Sequence, residues 1–199
     1  MSDADRRLDV LFRRVYELAR SRWILGREVR RREFGKLLEA IEVYADLRHL
    51  QLLLNLALVG RDEFRRLAAR AARRLRDRVP TEKLRRVDAW LRAYTWTEPN
   101  RHWRKLRPRD LDLLRDSEGG DDLLEFAMGH PNGHVRQRAT ELAPPGGRVI
   151  PMLLLRVADW VEPVRREAIA ALRRRISPVC ARRPPNGWRR RRSEIRPPA

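Results

Sequence analysis

Apolar residues recur every three or four positions along most of this chain, which is the spacing that lines one face of a helix. Leu8, Leu11, Phe12, Val15, Leu18 and Ala19 make one stripe; Phe34, Leu37, Leu38, Ile41 and Ala45 make a second, with Gly26 between them. Residues 50–59 are apolar on all sides, which predicts a buried helix ended by Gly60. Phe64, Leu67, Ala68, Ala71, Leu75 and Val79 form the next stripe, closed by Pro80, and Leu84, Val87, Trp90, Leu91 and Tyr94 the one after. No run alternates with the period of two that a half-buried strand requires. The pattern therefore predicts an all-α chain.

From Val135 the chain reads VRQRATELA, and from Val164 it reads VRREAIAAL, an offset of 29 residues. The same offset places Arg136 on Arg165, Ala139 on Ala168, Leu124 on Leu153, Leu123 on Met152 and Ala143 on Leu172. A period of that length marks a helical pair that cannot bury its apolar face alone and stacks on a copy of itself, as in a solenoid. In the second copy, residues 149–157 form an apolar helix and Asp159 to Glu162 a turn. Pro163 suits a first helical position, and Val164, Ala168, Ala171, Leu172 and Ile176 share one face, with Arg166, Glu167, Arg173 and Arg174 mostly off it. In the first copy the helices run over 121–128 and onward from Val135, joined by His130-Pro131-Asn132-Gly133. Trp160 is expected to pack between repeats.

These residues resemble the HEAT-like repeats, in particular the short bacterial form named after phycobilisome lyases. In that family an Asp in the inter-helix turn precedes an Arg of the second helix by six residues, with a Val before the Arg. Asp159, Val164 and Arg165 match it, whereas the first unit keeps Val135 and Arg136 but carries His130 in place of the Asp. The resemblance covers about 120–176. It implies an α-α superhelix of the HEAT/armadillo type that contacts another protein, and no particular chemistry. It also leads to a minority alternative: alkylpurine DNA glycosylases built of such repeats use tryptophans and a catalytic Asp, of which Trp160 beside Asp159 is a faint echo.

Composition sharpens the choice between partners. The chain carries a net charge of +19, and 43 of its 46 basic residues are arginine, the cation suited to bidentate phosphate contact, although codon bias explains the same excess. Residues 1–94 hold 24 basic and 14 acidic residues, 120–176 hold 9 and 7, and 177–199 hold 7 and 1. A nucleic-acid solenoid concentrates cations on its repeat helices, and these repeats are nearly neutral. A protein partner is therefore the first expectation, and weak, sequence-independent nucleic-acid binding the second. Candidate nucleic-acid contacts are Trp103 and Arg104, with Trp96, in the Trp/Pro/Arg-rich connector 95–119, where stacking on bases competes with packing against the flanking helices. Arg189, Arg190, Arg191 and Arg192 in the tail are the others.

Candidate chemistry is sparse. His130 and His134 have the spacing of paired metal ligands, but Pro131 and Gly133 between them predict a turn and no third ligand follows. No phosphate-binding glycine loop, nucleophile elbow or Cys/His pair occurs, so no enzyme, cofactor or metal is expected. Cys180 is the single cysteine, no signal-peptide core precedes the first stripe, and the apolar run 50–59 falls short of the roughly 20 residues a bilayer needs. A cytoplasmic protein without a membrane span is expected. The reading is thus a helical region at 1–94, the connector, two repeats at 120–176 and a disordered basic tail at 177–199, whose prolines exclude a third repeat. The tail suggests the front part of a longer repeat protein, or else a basic arm.

Overall fold

A computed structural model describes residues 3–20, 27–60, 62–93 and 101–180, and every described element is helical. In chain order the helices are α1 (Asp3–Arg20), α2 (Arg27–Tyr44), α3 (Leu50–Val59), α4 (Asp62–Asp77), α5 (Leu84–Arg92), α6 (Arg101–Lys105), α7 (Pro108–Arg115), α8 (Gly120–Ala127), α9 (Gly133–Glu141), α10 (Ile150–Val157) and α11 (Glu162–Cys180). Among the described residues no helix is long and apolar enough to cross a membrane.

The stripes read from the sequence are the buried faces. Leu8, Phe12, Val15 and Leu18 of α1, Phe34, Leu38 and Ile41 of α2, and Ala68, Ala71 and Leu75 of α4 all enter one continuous core. Helix α3 lies at its centre, packed on α1, α4, α5 and α6, which is why its sequence is apolar all round. Its two polar residues reach the backbone of neighbouring segments. The Asn55 carboxamide oxygen accepts the Trp103 backbone N–H at 2.7 Å, and Gln51 donates to carbonyls at the end of α5.

Helices α8 and α9 pack on each other, as do α10 and α11, and α11 also lies on α9. Helix α4 packs against α8, and α5 against α10. The boundary near residue 94 is thus a change of composition inside a shared core. Gly119 makes the entry to α8 with φ of 77°, a conformation that favours glycine. A Cβ on the following Gly120 would collide with the Leu114 carbonyl oxygen, so the pair Gly119-Gly120 sets the close turn from α7 into α8.

One expectation is corrected here. Helix α11 continues through Pro178 to Cys180, so residues 177–180 are helical and not tail. A proline near the end of a long helix removes one i to i−4 bond while leaving the earlier turns intact. The connector contains α7, started by Pro108 in its first turn, and α6, a helix too short to leave a periodic signature. Residues 181–199 and Trp96 lie outside the described residues, as do Arg189, Arg190, Arg191 and Arg192.

Candidate functional site

Burial of an amphipathic face accounts for Val135, Ala139, Val164 and Ala168, each fully buried, and for Leu172, which is nearly so. The remaining repeat positions form a charge network in the turns. Asp159 follows α10 and has no exposed side-chain surface. Its Oδ1 accepts the Val161 N–H at 3.1 Å, closing the turn. Arg136 of the preceding unit donates to both carboxylate oxygens, Nε to Oδ2 at 2.9 Å and Nη2 to Oδ1 at 3.0 Å. The same Oδ2 receives Arg92 Nη2 at 2.9 Å and Arg156 Nη1 at 3.1 Å. A second carboxylate, Asp88, neutralises the far side: Arg156 lies 2.6 Å and Arg92 3.2 Å from it.

Burial alone raises a carboxyl, but the Arg136 and Val161 donors together with the Arg136 and Arg156 charges outweigh it and hold Asp159 below the usual carboxylate range. Burial likewise lowers the Arg156 guanidinium from its usual value, opposed chiefly by Asp88. The network ties α5, α9 and α10 together at one point.

The remaining atoms of Arg136 bind its own turn, Nη1 donating to the carbonyls of His130 at 2.9 Å and Pro131 at 2.8 Å. Arg165 repeats that geometry one unit later, with Nη1 donating to the carbonyls of Asp159 at 2.8 Å and Trp160 at 3.1 Å. The offset of 29 residues is therefore an equivalence in hydrogen bonding. The turn-stabilising contact implied by the family's Asp and Arg runs through the Asp159 carbonyl, while the Asp159 carboxylate reaches back to the previous unit.

His130 takes over the Asp's local role. Its Nδ1 accepts the Asn132 N–H at 3.0 Å, the counterpart of the bond from Val161 to Asp159. That bond requires Nδ1 to be unprotonated, so the proton sits on Nε2, which donates to the Trp103 carbonyl at 2.8 Å. Burial lowers the imidazole to about 4, with Arg136 adding to the effect. With both nitrogens engaged, His130 has no lone pair to offer a metal, and among the described residues no three His, Cys, Asp or Glu side chains converge on a common point.

Trp103 is not a stacking surface. It is 1% exposed, its indole Nε1–H donates to the Leu91 carbonyl at 3.2 Å, and its ring meets His130 edge-on at 5.0 Å. The packing alternative for this residue holds, because Asn55 and His130 both need its backbone. Arg104 is half-buried on the same short helix. Trp160, expected between repeats, is 79% exposed. Asp159 is enclosed by arginines and offers no carboxylate to a substrate. Sequence reasoning missed Asp88, Arg92 and Arg156. Only Arg156 left a sign, a charge three and four residues after Leu153 and Met152 on the buried face of α10.

Comparisons of the chain with protein-family models, with curated proteins and with solved structures return no match.

Proposed function

We propose that this chain is a non-catalytic helical-repeat scaffold that binds another protein, its C-terminal part forming a short α-α superhelix of the HEAT kind. The observation that carries the reading is Trp160. An indole 79% exposed stands on a turn whose flanking carbonyls are clamped by Arg165 and whose neighbouring carboxylate is held by three arginines. A large aromatic side chain on a rigid backbone is the usual anchor of a protein interface. The charges on the outer faces are mixed, which also favours a protein partner: Arg138 pairs with Asp112 and Glu141, Arg166 with Glu162 at 2.9 Å, and Arg174 with Glu167 at 2.9 Å.

One feature favours the second reading, a basic nucleic-acid-binding protein. Arg66, Arg70, Arg115 and Arg148 line a cavity of about 430 Å³ beside the start of α8. Asp116, Asp121 and Asp122 line it too, so its field is not uniformly positive and the scaffold reading is preferred. The distinguishing experiment is affinity capture on the purified full chain after nuclease treatment, run beside Trp160→Ala. The scaffold reading expects partners that survive nuclease and are lost in the variant at unchanged helical content. Partners that vanish with nuclease alone support the nucleic-acid reading instead.

A further inference from the structure

The two repeat units differ in what covers them. In the first, Arg136 is 1% exposed and Thr140 fully buried beneath α11 and the turn before it. The counterpart of Thr140 in the second unit is Ile169, 37% exposed. Arg165 makes the same two bonds to its turn as Arg136 does, but its Nε and Nη2, the edge that in Arg136 grips Asp159, meet no acceptor among the described residues. Trp160, at the position of Pro131, stands beside this open edge in the same turn.

Resting on the scaffold reading, we infer that Arg165 and Ile169, flanked by Trp160, form a docking face for a helical hairpin of another protein chain that carries an aspartate in its inter-helix turn. The bond between Arg136 and Asp159 supplies the recognition chemistry: two parallel N–H donors of a guanidinium already fixed by turn carbonyls, presented to both oxygens of one carboxylate. Ile169 supplies the apolar surface beside it. The face also states a preference. Where Val161 lies against Gly133 in the first interface, 3.3 Å from a Cβ built there, the second unit has Glu162. The partner therefore places a small or basic residue two positions after its aspartate, where Val161 follows Asp159.

The test supplies the hairpin within the full chain, by inserting a second copy of residues 145–173 directly after Arg173. The inserted copy of Asp159 then stands opposite Arg165 as Asp159 stands opposite Arg136. Helical ellipticity should rise by the share of a folded unit, and Arg165→Gln should reduce the folded-to-unfolded ratio at least about tenfold more in the extended chain than in the parent. Arg165→Lys should fail to restore it, because an ammonium cannot bond both oxygens in that geometry. If the insert gains no helix, Glu162→Gly removes the side chain in its way; a unit that still does not fold overturns the inference. Equal losses from Arg165→Gln in both chains overturn it as well, since the arginine then serves only its own turn or residues 181–199. Either failure would leave nuclease-resistant partners that depend on Trp160 untouched, which separates it from failure of the scaffold reading.

Discussion

Replacing Asp159 with asparagine isolates the charge of the buried network from its shape. Asparagine keeps an oxygen to accept the Val161 N–H, but its NH2 group confronts the Arg136, Arg92 and Arg156 donors with another donor. Arg92 and Arg156 then share only Asp88, Arg136 keeps no carboxylate, and both Arg136 and Arg156 are 1% exposed, so water cannot restore the lost solvation. Breaking a buried ion pair from one side costs about 3 to 5 kcal/mol. For a chain of this size that is a fall of roughly 6 to 20 °C in the melting midpoint. The comparison is Glu162→Gln, which removes the exposed i, i+4 partner of Arg166 and should cost at most about 0.5 kcal/mol. Both are read by thermal and urea denaturation at pH 7, where the depressed Asp159 is fully charged; its contribution is present above the unfolded carboxyl value and is lost only as pH falls below it. Adding Arg136→Met to Asp159→Asn should be less harmful than the sum of the two by at least about 1 kcal/mol, because it removes one of the stranded charges. An Asp159→Asn protein within 1 kcal/mol of the wild type would refute the claim that this carboxylate joins the two repeats to α5.

His130 is neutral in the fold at a pH where the unfolded imidazole is charged, so the wild type should lose stability relative to His130→Gln as pH falls from about 6.5 toward 4, by up to roughly 1.4 kcal/mol per pH unit; parallel pH profiles would show the imidazole to be unshifted. Leu172→Ala should cost roughly 2 to 5 kcal/mol as a core truncation, while Arg173→Ala, exposed on the same helix, should cost little; equal denaturation midpoints would place the buried face wrongly. Any DNA binding should weaken steeply with salt, and more on neutralising Arg66, Arg70 and Arg115 than on Arg165→Gln; tight binding that survives high salt would contradict the mixed field of that cavity.

Where helix faces are set by burial alone, the pattern of the chain was a good guide. Residues 50–59 form α3 with the bounds expected, because eight apolar residues in ten positions between a polar segment and Gly60 leave few alternatives. The stripes of α1, α2, α4 and α5 turn their residues toward the core, most of them buried and Leu11, Leu37, Phe64 and Leu67 partly so, while Tyr94 lies outside the described residues. What was not legible depends on pairs far apart in the chain. Arg92 meets Asp159 across 67 residues and Arg73 meets Glu125 across 52, and no local period records either. The connector was open for another reason: adjoining aromatic and basic residues suit both a stacking surface and packing against the flanking helices, and the fold turns the Trp103 indole inward and leaves Arg104 half-covered. The role of His130 was hidden because an imidazole nitrogen and a carboxylate oxygen can each accept the same turn N–H, an equivalence that residue identity does not display.

The arginine excess takes on a different meaning once the fold is known. Codon bias would scatter arginine without regard to geometry, and lysine would serve equally wherever a solvated charge sufficed. Several positions here need the planar fork. Arg136 bonds two carbonyls and both oxygens of one carboxylate, Arg175 bonds the carbonyls of Ala143 and Pro144 at 2.9 and 2.7 Å, and Arg74 grips both oxygens of Glu42. An ammonium offers a single nitrogen to such a set and holds its water more strongly. Several of the arginines thus close turns and join helices, and a net charge of +19 overstates what the nearly neutral repeats present to a polyanion. Among the residues that face outward on the second unit are an indole, an isoleucine and one half-used guanidinium, a combination suited to a protein surface with a carboxylate at its centre.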